Sequence, residues 1–288
     1  MAVTSSCGTR LALPVLFLSS FLALPSCVVT QPYAPPFVLR PVPELKGPLC
    51  TEEMKAQVGQ DECDARRDAL VRRSLAATVS VEPADYDPSG TGVKDKRFGT
   101  GVIINGRGWV LTANHVVAGA RYAVVTVQHI GSKGGGLAFA WRGDIIMRVA
   151  ITAPEYDAAL LIPLDRWTAF SDPAEHWGIY ADLVPGELVW HFGRSSVGKS
   201  GQIHLLGTEF QGIKGLMTIT APAVMGDSGG PVFDRHGRLI GLVIAHGTLG
   251  SEESLTFCVP VMTAISALIG AGEEALEKAR EDAPTTSP

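Results

Sequence analysis

Ser228 sits in the string Gly226-Asp227-Ser228-Gly229-Gly230-Pro231, a hydroxyl carried on a glycine-rich turn. Glycines around it let another chain approach closely and leave backbone N–H groups free to point outward. A hydroxyl is a weak nucleophile at neutral pH, so attack by Ser228 requires a base and a carboxylate that orients the base. His115 is the candidate base. It follows the segment Gly99 to Ala113, which reads as an apolar strand, an Asn-Gly turn and a second strand, so that rigid sheet delivers the imidazole to a surface. Asp157, at the entrance to the apolar run Ala158-Ala159-Leu160-Leu161-Ile162, is the candidate carboxylate. Asp144, Asp165 and Asp172 are rivals, and none of them opens an apolar strand of this kind. Together the three side chains could perform acyl transfer through a covalent intermediate.

LTANHVV around His115, YDAALL around Asp157 and GDSGGP around Ser228, in that chain order, resemble the three triad blocks of chymotrypsin/trypsin-like serine proteases. The agreement covers about residues 76–268 and resembles most the bacterial branch that includes the high-temperature-requirement proteases. The segments Gly237 to Ile244 and Ser254 to Pro260 resemble the strand after the nucleophile and the last strand before a terminal helix. The stretch beyond them is too short for the PDZ module that many such relatives carry.

The resemblance implies a serine endopeptidase in which His115 takes the Ser228 proton, Asp157 holds the imidazole tautomer, and the N–H groups of Gly226 and Ser228 face the oxyanion. It implies a peptide or protein substrate and no cofactor. Pro222, Ala223, Val224 and Met225 before the nucleophile and Ile244, Ala245 and His246 after it are the implied substrate pocket. None of these is acidic, and Pro222 stands where trypsin-type enzymes carry their selective Asp, so basic specificity is not expected. A small or medium apolar side chain is the default occupant. His246 is either a partner for an acidic side chain or a plain rim residue.

In zymogen-activated relatives the residue matching Asp227 pairs with a new N-terminal amine. No Ile-Val-Gly-Gly type site precedes the domain here, where Lys96-Arg97-Phe98-Gly99 stands, so activation by N-terminal insertion is not expected. A buried carboxylate needs some cation or donor, for which Lys214 and Arg194 are the candidates. Two other classes of function compete with the enzyme: a protease-like scaffold that binds peptides without cleaving them, and a serine esterase, whose strand-helix alternation and residue order are absent.

Composition sets outer bounds. The 46% apolar and 18% charged residues fit a folded globular protein. A net charge of -5 leaves no basic face for phosphates, which argues against a nucleic-acid partner. Seven scattered histidines and five cysteines without a CxxC unit give no metal-ligand spacing, so no metal is expected.

Residues 1–27 read as an export signal, with Arg10 before the apolar run Leu11 to Leu24. The run ends in Leu24-Pro25-Ser26-Cys27, which resembles a bacterial lipobox apart from Pro25, so Cys27 is a candidate lipidation site and simple secretion is the alternative. Either implies the cell envelope or the exterior. Residues 28–50 are a Pro-rich tether. Residues 51–76 have helical composition, with Thr51 as a cap. Cys50 and Cys63 are free to form a disulfide in an oxidising compartment, whereas Cys258 in an apolar strand reads as a buried thiol. Residues 77–270 form the catalytic domain, and residues 271–288 hold a helix end and a frayed tail. Twelve short apolar runs between turn residues make the domain all-β, and the family resemblance selects two packed six-stranded antiparallel β-barrels, a C-terminal helix and an N-terminal helical extension.

Overall fold

Apolar runs rich in Val, Ile and Leu, cut at short intervals by Gly, Asn and Pro, form strands rather than helices. The computed structural model of the chain describes residues 55–57, 59–84, 97–133, 136–164, 178, 180–193, 198–249 and 253–281. The expected export signal with Cys27, the tether with Cys50, the Thr51 cap, Arg194 and the residues beyond 281 lie outside the described residues.

The first barrel consists of β1 (Thr78–Ala84), β2 (Gly99–Ile103), β3 (Val110–Ala113), β4 (Tyr122–Lys133), β5 (Gly136–Ala153) and β6 (Ala158–Pro163), closed in the order β1-β2-β3-β6-β5-β4. The second consists of β7 (Leu188–Phe192), β8 (Gly198–Phe210), β9 (Ile213–Ile219), β10 (Pro231–Asp234), β11 (Leu239–Leu249) and β12 (Glu253–Pro260), closed in the order β10-β11-β12-β9-β8-β7. Every pairing is antiparallel, and closure leaves neither sheet with a free edge.

Val79, Val81, Val102, Val110, Leu111 and Leu161 fill the first barrel, and Trp190, Phe192, Phe233 and Phe257 are fully buried in the second. One continuous apolar cluster joins residues of both barrels. Burial of side chains this size contributes roughly 1.5 to 3 kcal/mol each.

The β2–β3 connection differs from the expected Asn-Gly turn. Asn105 Oδ1 accepts the N–H groups of Arg107 and Trp109 at 3.0 and 3.2 Å, and the positive φ of 75° belongs to Gly108, not Gly106. The loop is therefore an Asn-nucleated turn longer than a two-residue hairpin.

The helix expected over residues 51–76 is interrupted at Gly59, after which α1 spans Gln60–Ala77. Lys55 to Gln57 form a separate helical turn, because Gly59 adopts φ 84° and breaks the run. The face carrying Cys63, Val71, Ser74 and Leu75 is buried. Leu70 abuts Gly237 of the β10–β11 turn, and Ser74 Oγ lies 3.4 Å from Trp190 Nε1, so α1 also touches the second barrel. Cys63 is disulfide-bonded to a residue outside the described ones. The C-terminal helix α3 (Val261–Glu281) buries Val261, Ala264 and Leu268 in the shared cluster, and Gly272 lies close to Ile151 of β5. No helix among the described residues is long and apolar enough to cross a membrane.

Candidate active site

Register brings His115 and Asp157 together. β3 pairs with β6 so that Ala113 faces Ala158, and the residues just beyond these partners are the short helix α2 (Asn114–Val117) and Asp157. Asp157 caps a single helical turn, Pro154–Tyr156, in the left-handed region at φ 50°, a conformation rare for a residue with a Cβ. Its strain is offset by three contacts. Its carbonyl accepts Asn114 N–H at 3.0 Å, Oδ1 accepts His115 N–H at 2.8 Å, and Oδ2 lies 2.6 Å from His115 Nδ1. Asp157 thus satisfies the first N–H groups of α2, which would otherwise lack acceptors. A carboxylate only accepts, so Nδ1 carries the proton and Nε2 is left as an acceptor. The imidazole is half exposed, at 49%, and the carboxylate is 13% exposed.

Ser228 lies on the connection between β9 and β10. Asp227 N–H bonds Val224 carbonyl at 3.0 Å, and Gly226 has φ 96°, which makes Val224 to Asp227 a type II turn. Gly230 N–H bonds Asp227 carbonyl, and Gly229 N–H bonds Val243 carbonyl. The N–H groups of Gly226 and Ser228 donate to no protein acceptor among the described residues. Gly229, at φ 81°, packs so tightly that a Cβ would lie 2.1 Å from Thr100 carbonyl oxygen.

Thr100 of β2 fastens the serine turn to the first barrel. Its N–H bonds Ser228 carbonyl at 2.8 Å, its hydroxyl donates to Gly226 carbonyl at 2.6 Å, and its own carbonyl accepts Thr112 hydroxyl at 2.7 Å. Both threonines are fully buried.

His115 and Ser228 line one cavity of about 510 Å³ with Arg97, Phe98, Val116, Ala223, Val224, Met225, Gly226, Val243, Ala245 and His246. No hydrogen bond joins Ser228 to His115 among the described residues, a contact that commonly tightens only when substrate is bound. Pro222 and Ile244, expected in the pocket, are not in this lining. Pro222 instead offers its carbonyl to His191 Nε2 at 3.4 Å, and Ile244 is 5% exposed and packs in the core. A register irregularity in β11 explains the latter: Val243 and Ala245 pair with the neighbouring residues Cys258 and Phe257, and Ile244 between them has no partner in β12 and packs into the core. Thr256 shapes one wall by accepting Ala223 N–H at 2.9 Å and donating to Ala221 carbonyl at 2.6 Å.

Of the two partners expected for Asp227, Arg194 lies outside the described residues and Lys214 does not reach it. Lys214 is exposed and lies 3.9 Å from Glu209, whereas Lys199 of β8 lies 2.6 Å from Asp227 Oδ2. Val224 N–H donates to the same oxygen at 2.9 Å. His191 of β7 is fully buried beside this pair, and its Nδ1 has no hydrogen-bond partner among the described residues. Burial lowers its pKa to about 4, with Asp227 opposing and Lys199 adding to the shift. Cys258 is a buried free thiol whose pKa is pushed up by the same loss of water. Among the described residues no cluster of His, Cys, Asp and Glu could hold a metal ion.

A family model for the trypsin-like peptidase domain matches residues 99–242, half of the chain. No curated protein matches. Among solved structures the chain is similar to the HtrA-type protease AlgW with decapeptide, at 21% identity and TM-score 0.55 over 71% of this chain and 66% of that one. It is similar to AlgW with tripeptide at 23% identity and TM-score 0.53, over 68% of this chain and 60% of that one. Deg5 matches at 21% identity and TM-score 0.53, over 72% of this chain and 93% of that one. The chain thus spans 60% to 67% of the AlgW chains, and likeness at this identity concerns the fold. Two closed barrels, with the histidine and aspartate on one and the serine turn on the other, are the frame on which that domain match falls, and the chain belongs to the trypsin-like peptidase family.

Proposed function

We propose that this protein is a serine endopeptidase that hydrolyses peptide bonds through a His115-Asp157-Ser228 triad and an acyl-enzyme intermediate. The observation that carries the reading is the double grip of Asp157 on His115, with the imidazole in the same cavity as Ser228. His115 Nε2 takes the hydroxyl proton as Ser228 attacks the substrate carbonyl, then returns it to the leaving amine. Gly226 N–H and Ser228 N–H receive the oxyanion, where loss of one donor typically costs about 3 to 4 kcal/mol of transition-state stabilisation.

The acyl-side pocket is built from Ala223, Val243 and Ala245, with the exposed side chains of Val224 and Met225 at its rim. Such a wall suits a small or medium apolar residue. Among the described residues the lining contains no Asp or Glu and includes Arg97 and His246, which disfavours Lys and Arg there.

We further read the protein as exported, carried by the leader of residues 1–27 and tethered by residues 28–50, with Cys27 as the lipid attachment point. The bonded state of Cys63 supports an oxidising compartment, and Cys50 is the proposed partner. Residues 77–270 are the proposed catalytic domain.

A fluorophosphonate probe and a fluorogenic peptide library, applied to the full chain and to Ser228→Ala, test the enzyme. Labelling and turnover confined to the native chain are expected. Equal behaviour of the two proteins would sink the assignment and favour a peptide-binding scaffold.

A further inference from the structure

The serine turn is held from behind by a cluster in which Asp227 belongs to the Ser228 motif and Lys199 and His191 belong to none of the three. Asp227 is 1% exposed, and a carboxylate so deeply buried must have a counter-charge or lose its ionised form. Lys199 supplies the charge at 2.6 Å, with its side chain 18% exposed. Asp227 in turn accepts Val224 N–H on the same Oδ2, which closes the loop around the type II turn presenting Gly226 N–H and Ser228 N–H.

The β7–β8 hairpin is shaped for this task. Lys199 stands directly opposite His191 in its register, so the two side chains leave the same face of the hairpin. His191 Nε2–H donates to Pro222 carbonyl at one end of the turn, and Lys199 holds Asp227 at the other. Gly193, just after β7, leaves room for the carboxylate, since a Cβ there would lie 1.6 Å from Asp227 Oδ1. Meanwhile α1 runs straight into β1 through buried Ala77 and Thr78, so no chain end is presented at the entrance to the first barrel.

We propose that Lys199 is a positioning residue that keeps the Ser228 turn competent in the uncleaved chain by acting as the built-in counter-ion of Asp227. The inference rests on the serine endopeptidase reading. Lys199 touches no substrate; it acts through Asp227 on the two oxyanion donors.

The test compares the full chain with Lys199→Met, Lys199→Arg and the double variant Lys199→Met/Asp227→Asn. Steady-state hydrolysis of one fluorogenic peptide and amide hydrogen exchange over residues 222–230 are the two readouts. Lys199→Met is expected to lose about a hundredfold in kcat with KM changed less than about threefold, as removal of oxyanion stabilisation does. Exchange over the turn should accelerate, and Lys199→Arg should recover at least about a tenth of native kcat by restoring the charge. If Lys199→Met does not accumulate as folded protein, the double variant, which strands no charge, takes its place. A kcat at least about tenfold below native with KM held supports the proposal, and native kcat overturns it. Native kcat and native exchange in folded Lys199→Met overturn it as well. A full chain that neither turns over peptide nor reacts with fluorophosphonate defeats the endopeptidase reading instead, and the exchange comparison still decides whether Lys199 holds the turn.

Discussion

Asp157 holds His115 at two points, Oδ2 at 2.6 Å from ring Nδ1 and Oδ1 at 2.8 Å from the backbone N–H, so both the tautomer and the position of the imidazole depend on one carboxylate. Asp157→Asn keeps the shape and can still accept at the backbone, but its amide can donate to Nδ1 and stabilise the opposite tautomer. Nε2 would then carry the proton and be unable to accept one from Ser228. A fall in kcat of about 10⁴ is expected, with the fold unchanged by circular dichroism. A loss of less than tenfold would move the role to another carboxylate.

Thr100→Val tests the bridge from β2 to the serine turn. The substitution retains β-branching and volume and deletes the hydroxyl that donates to Gly226 carbonyl at 2.6 Å in a fully buried setting. Stranding that carbonyl should cost about 1 to 3 kcal/mol of stability. Because Gly226 carries a proposed oxyanion donor, kcat should fall more than KM rises. Thermal unfolding and steady-state kinetics measured on the same preparation check both halves, and a variant that matches native protein in each would remove Thr100 from the site.

How much of this was legible in the sequence depends on how local the cause is. His115, Asp157 and Ser228 each stand in a contiguous string with its own turn and strand chemistry, and each of the twelve apolar runs overlaps one of the twelve strands of the two barrels. Lys199 was not legible, because its meeting with Asp227 depends on β7–β8 register, which is fixed by packing across the hairpin. Lys214 looked equivalent as a charge and sits at the exposed end of the β8–β9 hairpin. Pro222 and Ile244 were assigned by proximity in sequence to the nucleophile and to β11. A register irregularity in β11 at Ile244 sends that side chain into the core, and the capture of Pro222 by His191 involves a residue from another strand. Gly59 could have been read as a helix break, since glycine costs about 1 kcal/mol relative to alanine in a helix interior.

Substrate charge should matter at the active-site cavity. Arg97, His115 and His246 line it, and among the described residues no acidic side chain does. Arg97 Nη1 donates to His115 carbonyl at 3.4 Å, which keeps its charge at the His115 edge of the cavity. Peptides with Asp or Glu just after the scissile bond should therefore be cleaved faster than the same peptides with Lys, by about three- to tenfold, a difference of roughly 1 kcal/mol for an exposed pair. Arg97→Gln should erase the difference, and added salt should shrink it. Equal kcat/KM for acidic and basic peptides at low salt would remove Arg97 as a specificity determinant.

Acid should loosen the protein through His191. Its folded pKa of about 4 lies below the ordinary 6.5, because burial excludes the charged form and Lys199 adds repulsion, with Asp227 only partly compensating. Between these two values the unfolded chain binds a proton that the folded chain refuses, so this contribution to stability is complete above pH 6.5 and is lost as pH falls toward 4. The shift corresponds to about 3 kcal/mol across that window. His191→Phe fills much of the same space without titrating, and it gives up the bond to Pro222 carbonyl. It should be somewhat less stable than native at pH 7.5 and lose much less between pH 7 and pH 4.5 in denaturant titrations. Parallel losses in the two proteins over that interval would show that other groups carry the acid sensitivity.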